Sequence, residues 1–252
     1  MNGRMDKDVI LGVEQLNLFN RAGDRLVEDV SLSLRAGETL GLVGESGSGK
    51  TLTLRSLIGL LPEGVRETHA ARRDNPNCAM IFQNPQQALD PLCPVFWQLS
   101  EVVAVRQGVS RGEARVRALA LLRRLKRPEE LARRDRLPGS LSGGQCQRVM
   151  IALALACRPE ALLCDEPTTA LDVTMQKQTL ALILSLQREL GFAMVFVTHN
   201  LAVAAQLCGS LAVMQRGRIV ERGTARQILT EPREEYTKML TGAILTVPER
   251  EA

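Results

Sequence analysis

Eight consecutive residues, Gly44-Glu45-Ser46-Gly47-Ser48-Gly49-Lys50-Thr51, constrain this chain more than any other stretch, because they match G-x-x-x-x-G-K-[ST]. A short apolar run at 40–43 feeds straight into them, and a segment at 52–61 with the leucine spacing of a helix follows and stops at Pro62. Strand, glycine loop and helix in that order let backbone N–H groups curl around phosphate oxygens. Lys50 would reach the β- and γ-phosphates, and the Thr51 hydroxyl would coordinate Mg²⁺. At average glycine usage such a match arises by accident in roughly one chain of this size in a hundred, and correct placement between strand and helix lowers the odds further.

The remaining pattern predicts an α/β fold. Val30, Leu32 and Leu34 alternate, as in a half-buried strand, ahead of an Ala36-Gly37 turn. Residues 78–82, 161–164 and 193–197 read as further strands, and 110–125, 145–156 and 176–190 as helices. Ser110 and Glu113 are spaced as a capping box, with Ala114, Ala118, Leu121, Leu122 and Leu125 on one helical face. Strands alternating with helices imply a mainly parallel sheet covered on both faces. Residues 211–214 and 219–220, around Arg216-Gly217, suggest a closing hairpin, and 64–77 is polar and turn-rich.

Composition removes several function classes. With 45% hydrophobic and 24% charged residues the 252-residue chain should fold throughout. Aromatic residues at 3% leave few platforms for stacking on single-stranded nucleic acid, so no nucleic-acid partner is expected. The net charge of +4 is modest, and the excess arginine lies between Arg111 and Arg136, where a solvated face accounts for most of it. Apolar runs such as 149–157 fall far below the roughly 20 residues that cross a bilayer. Residues 1–8 carry both signs of charge with no apolar stretch of a signal peptide after them, so a cytosolic chain is expected. The six cysteines form no C-x-x-C pair and read as small core residues, and two histidines make a His-based metal site improbable.

Asp165-Glu166 ends the strand at 161–164, and two adjacent carboxylates there are costly unless a cation or a water needs them. The carboxyl end of a strand faces the crevice where α/β sheets bind ligands. Asp165 would hold Mg²⁺ through water, and Glu166 would orient and deprotonate an attacking water.

Leu141-Ser142-Gly143-Gly144-Gln145, followed by Gln147-Arg148, resembles the signature motif of ABC ATPases. The resemblance runs in order and spacing over most of the chain: the phosphate loop, Gln83 as the Q-loop residue, the signature, Asp165-Glu166, Ala170-Leu171-Asp172 as the D-loop, and His199 as the switch histidine. Phe19 resembles the aromatic that stacks on adenine, although a strand Phe is more often plain core. The resemblance implies a single ABC ATPase domain over 1–252. A RecA-like phosphate-loop NTPase core would take about 1–83 and 145–252, and a helical subdomain about 84–144, with a small antiparallel β-subdomain beside them. It also implies ATP and Mg²⁺ as ligands, with Gln83 touching the metal in one state and releasing it in another, and His199 bonding the γ-phosphate. Ser142 and the glycines, placed before a helix N-terminus, would serve the nucleotide held by an opposite subunit. The implied partners are a second ABC ATPase subunit, identical or paralogous, two membrane permease subunits against which the helical subdomain docks at the cytoplasmic face of the inner membrane, and indirectly a substrate-binding protein.

Gly44 through Lys50, Ile81-Phe82-Gln83-Asn84-Pro85, Asp90-Pro91, the run DEPTTALD at 165–172 and Glu235-Tyr236-Thr237-Lys238-Met239-Leu240 look like the peptide and nickel branch of ABC importers. Leu61-Pro62-Glu63-Gly64-Val65-Arg66 resembles the nickel side, and the sequence reaches Ala252 without the Cys-bearing C-terminal extension frequent on the peptide side, which leans the expectation toward nickel or a metal chelate over peptides. Two departures stand out: 61–78 is shorter than the family's usual pair of antiparallel strands there, and Cys146 sits in a variable slot of the signature. The competing reading is a non-transport ABC ATPase of the DNA-repair or ribosome-associated kind, whose paired cassettes or long coiled-coil insertion have no counterpart in this sequence. A regulatory binder would be expected to lack Glu166, His199 or the signature.

Overall fold

The computed structural model describes residues 6–75, 77–125, 131–132, 136–169 and 171–245. Along the chain run β1 (Val9–Phe19), β2 (Arg25–Arg35), β3 (Thr39–Val43), α1 (Lys50–Leu57), β4 (Arg66–Thr68), β5 (Ala71–Arg73), β6 (Cys78–Ile81), α2 (Val95–Gln107), α3 (Arg111–Arg124), α4 (Gly143–Ala156), β7 (Ala161–Asp165), α5 (Val173–Leu190), β8 (Ala193–Thr198), α6 (Leu201–Leu207), β9 (Ser210–Gln215), β10 (Arg218–Thr224), α7 (Ala225–Thr230) and α8 (Glu235–Leu245). The described residues fall into two compact units, one drawn from 1–76 and 193–252, the other from 77–192.

In the first unit β3 lies between β8 and β9 and is parallel to both, while β10 closes the edge antiparallel to β9. All six residues of β8 are buried, as a parallel strand covered on both faces requires. Helix α6 packs close on β3: a Cβ at Gly41 would meet Ala204 Cβ at 3.2 Å, and Leu211 Cδ2 of the neighbouring β9 at 2.5 Å.

A second sheet in this unit is antiparallel. β1 pairs with β2, β4 and β5. Its buried residues alternate as Leu11 and Val13, then slip by one to Leu16 and Leu18, because Gln15 takes a positive φ of 54° and bulges the strand. β2 makes the matching slip at Asp29, φ 49°, between Val27 and Val30. Side chains satisfy both bulges: the Gln15 N–H donates to Ser31 Oγ at 3.0 Å and the Asp29 N–H to Asn17 Oδ1 at 3.1 Å. The short 61–78 stretch nevertheless carries β4 and β5, which the polar sequence reads as turn. Arg72 ties them by donating to Glu67 Oε1 at 2.6 Å, and Glu67 Oε2 accepts the Ser56 hydroxyl at 2.7 Å.

Helix α1 ends at Leu57, four residues before the expected stop, in a Schellman turn: Leu60 N–H donates to Arg55 O at 2.9 Å and Gly59 N–H to Ser56 O at 3.0 Å, with Gly59 at φ 69°.

The second unit joins the parallel pair β6 and β7 to helices α2 to α5. Ser110 caps α3 by accepting the Glu113 N–H at 3.3 Å, but the Glu113 carboxylate turns to Arg117 and does not close the expected box; Ala114, Ala118, Leu122 and Leu125 are buried, as their spacing predicts, and Leu121 is half-buried. Helix α4 is buried nearly all round, and Arg148, 8% exposed, donates to Leu125 O at 2.6 Å, tying α4 to the end of α3. Part of the arginine-rich face of α3 is paired locally: Arg117 with Glu113 and Arg124 with Glu189, while the Arg115 guanidinium lies 5.0 Å over the Phe96 ring. Arg127 and Arg133 lie outside the described residues. Helix α5 starts three residues before the expected 176, since Asp172 Oδ1 accepts the Met175 N–H at 2.9 Å and caps it.

Candidate functional site

In the first unit the site grows from the carboxyl edge of the parallel strands. Val43 stands opposite Thr198 in the β3–β8 register, so the loop at 44–51 and His199 leave adjacent strand ends. The loop begins flush against β9: a Cβ at Gly44 would lie 2.1 Å from Met214 O. Gly49, at φ 104°, precedes α1 in a conformation that L side chains rarely adopt, and its carbonyl accepts the Thr53 N–H at 2.9 Å. Lys50 is 4% exposed and donates Nζ to Gly44 O at 2.9 Å, Glu45 O at 2.7 Å and Ser48 Oγ at 3.4 Å. Glu45, Ser46 and Gly47 are exposed, Ser48 is buried, and Thr51 is half-buried on the first turn of α1. The first N–H groups of α1 have no partner within the helix, and the helix dipole adds positive potential where they point. A buried ammonium, a glycine turn and a helix N-terminus at one place suit a polyphosphate.

His199 is exposed and held by neighbours on each side: Asn200 N–H donates to Thr198 Oγ1 at 3.1 Å, and Asn200 Oδ1 accepts the Val203 N–H at 3.2 Å to cap α6. Phe19 is half-buried at the end of β1, paired with Arg25 and Arg66, and the Arg25 guanidinium lies 5.7 Å over its ring. It belongs to this same unit, with a cation already on one face.

In the second unit Ile81 stands opposite Cys164 in the β6–β7 register. Gln83 and Glu166, each two residues beyond that pair, therefore leave the same edge of the parallel pair, with β7 running one residue further than β6. Asp165 is 2% exposed at the end of β7, Gln83 is exposed, and Glu166 is half-buried with φ 43°, a strained backbone for a glutamate. Its Oε2 accepts the Thr169 hydroxyl at 2.8 Å, which fixes the carboxylate.

The signature residues occupy the start of α4 in this unit. Gly143 and Gly144 are the first two helical residues, whereas the sequence places them before the helix; Ser142 is the N-cap. Its Oγ accepts the Gln145 N–H at 3.3 Å and Gln145 Oε1 accepts the Ser142 N–H at 2.9 Å, a complete capping box. The Gln145 amide oxygen is thereby committed to the cap. The Ser142 hydroxyl keeps its proton to donate. The two glycines differ: a Cβ at Gly143 meets nothing within 4 Å, while one at Gly144 would lie 2.5 Å from Met175 Cε. Gly143 leaves its backbone open, and Gly144 admits the start of α5. Of the D-loop triad, Ala170 lies outside the described residues and Asp172 caps α5.

Sequence reasoning singled out the tail pattern around Tyr236 without connecting it to the loop. The Glu45 N–H donates to Tyr236 Oη at 3.0 Å across 191 residues. No local signal reveals such a bond, since periodicity reports faces and not partners. Among the described residues no group of three or more His, Cys, Asp or Glu side chains could hold a metal. Among the same residues no helix is long and apolar enough to cross a membrane.

The ABC transporter family profile matches residues 27–169. The chain is 40% identical over 266 residues to the glutathione import ATP-binding protein GsiA of Escherichia coli, covering 95% of this chain and 43% of that protein. It therefore spans less than half the length of that relative. With the dipeptide transport ATP-binding protein DppD of Escherichia coli the identity is 38% over 255 residues, 93% of this chain and 78% of that one. Among solved structures, a component of the cbiONQ ABC transporter complex of Clostridium perfringens superposes with a TM-score of 0.74 at 27% identity, covering 96% of this chain and 97% of its own. A dimeric ATP-binding cassette in a post-hydrolysis state, bound to ADP and Pi, gives 0.72 at 27% identity over 86% of this chain and 99% of its own.

Proposed function

The chain belongs to the ABC transporter ATP-binding family, and we propose that it is the ATP-hydrolysing motor of an importer, working as one of two ATPase subunits beneath two membrane permeases. The reading rests on one observation above all: a glycine loop with a buried lysine leaves β3 beside the strand end that precedes His199. In this reading Lys50 and the N–H groups of the loop hold the β- and γ-phosphates, and Phe19 offers its ring to adenine. Thr51, Asp165 and Gln83 would hold Mg²⁺, which neutralises charge on the phosphates. Glu166 orients the attacking water and takes its proton, and His199 donates a hydrogen bond to the γ-phosphate. Ser142 Oγ–H and the Gly143 N–H, at the dipole-positive end of α4, serve the nucleotide held by the opposite subunit, so two ATPs are sandwiched between two chains.

ATP-driven closure of the pair and reopening after hydrolysis would move the permeases between outward and inward access. The chain would sit peripherally at the cytoplasmic face of the membrane, fed by a substrate-binding protein. The relatives at 38–40% identity are named for glutathione and dipeptide import, which moves the cargo from a nickel chelate toward short peptides. Affinity purification from solubilised membranes tests the reading: two integral membrane proteins should co-purify and stimulate ATP hydrolysis. Recovery of ribosomes or DNA in their place would support the non-transport alternative and reject this one.

A further inference from the structure

The tail helix α8 reaches the phosphate loop through one side chain. Tyr236 is 7% exposed, and its hydroxyl accepts the Glu45 N–H at 3.0 Å. The carbonyl of that same residue accepts Lys50 Nζ at 2.7 Å. Glu45 is thus held on one side by the phosphate-binding lysine and on the other by the tail. The loop's far end is fixed separately, by Gly217 N–H donating to Ser48 O at 2.9 Å.

The tail is itself anchored. Glu221 on β10 accepts the N–H groups of Arg233 at 2.9 Å and Glu234 at 3.1 Å, immediately before α8. Helix α8 also packs against α6, the helix that Asn200 caps directly after His199. One short helix therefore braces both chain segments that leave the β3 and β8 strand ends. Burial raises the Tyr236 phenol above its ordinary value, so the hydroxyl stays neutral at physiological pH.

We propose that Tyr236 is a positioning residue for the nucleotide: by holding the Glu45 N–H it fixes the first turn of the phosphate loop in the geometry that accepts ATP. It touches no phosphate and acts through the Glu45 peptide. When Lys50 transfers its donors to phosphate oxygens the Glu45 carbonyl is released, and the Tyr236 bond is what keeps that peptide from turning. The proposal rests on the motor reading above for its ligand, while the bond itself is testable without nucleotide.

Tyr236→Phe removes the hydroxyl and keeps the ring; Tyr236→Leu removes both. For Tyr236→Phe the loss of one hydrogen bond should raise Kd and KM for Mg-ATP about three- to tenfold with kcat within about twofold. Its Tm without nucleotide should stay within about 2 °C of wild type, and the Glu45 amide should exchange faster with deuterium. Tyr236→Leu should lower Tm as well. Unchanged Kd in Tyr236→Phe, alongside normal ATP binding by wild type, overturns the positioning role and spares the motor reading. A fall in Tm and kcat together in Tyr236→Phe also overturns it, because the residue would then be packing. Unchanged exchange at Glu45 removes the bond itself, whatever the chain binds.

Discussion

Val43 and Thr198 face each other in parallel register, and this pairing sets His199 beside the first residue of the phosphate loop. The histidine is exposed, and its neighbours' caps hold the backbone on each side. His199→Ala therefore removes the proposed γ-phosphate donor and little packing. We expect kcat for ATP hydrolysis to fall about 10²-fold or more, with the Kd for ATP within about threefold and Tm unchanged. Single-turnover hydrolysis and a binding titration on the same protein separate the two effects.

Glu166→Gln keeps the shape and removes the carboxylate proposed as the base. The glutamine carbonyl can still accept the Thr169 hydroxyl, so the strained turn should survive. Turnover should drop by at least about 10³-fold while ATP stays bound, and the ATP-loaded variant should accumulate as the closed two-chain species. Steady-state hydrolysis equal to wild type would remove Glu166 from the base role.

The signature glycines separate packing from function. Gly144→Ala brings a methyl within 2.5 Å of Met175 Cε, the far end of a flexible side chain that can swing aside, so it should cost no more than about 1 kcal/mol, and Met175→Ala in the same chain should remove that cost. Gly143→Ala projects into open space, so stability should hold or rise by up to ~1 kcal/mol while ATPase activity falls. Urea unfolding of the three variants beside their turnover checks both halves.

Acid should loosen the tail before the core. Burial pushes the Glu221 carboxyl up, but the N–H groups of Arg233 and Glu234 that it accepts, with the nearby Arg233 charge, outweigh burial and hold the folded value below the ordinary 4.5. A lowered folded value stabilises the anchored tail fully above 4.5, and that contribution is lost as pH falls through the folded value. Tryptic cleavage near Arg233, assayed after brief exposure between pH 6 and pH 3, should rise at the acid end, and Glu221→Gln should show the rise already at neutral pH.

The candidate residues were easiest to place in the sequence where they sit in one short segment. The loop at 44–51 and Asp165-Glu166 lie at the expected strand ends, and Ser142-Gly143-Gly144-Gln145 lies at the start of a helix that opens two residues earlier than its periodicity suggests. The helix boundaries missed at Leu57 and Val173 depend on turn geometry and on an Asx cap, both decided by atoms a residue pattern does not weigh. The extent of β1 before Phe19 escaped notice because the bulge at Gln15 breaks its alternation, and β4 and β5 because three residues each are too short to show a periodicity. The Gly144–Met175 and Glu45–Tyr236 contacts join distant segments, which only the fold brings together.

The account stands on the phosphate loop, and Lys50 is its most direct probe. Calorimetric titration of the purified chain with Mg-ATP should give saturable binding of about one nucleotide per chain, and Lys50→Ala should weaken it by at least about tenfold, as expected for losing a charge-assisted hydrogen-bond donor. No saturable binding by the wild-type chain, or equal affinity in Lys50→Ala, would contradict the account.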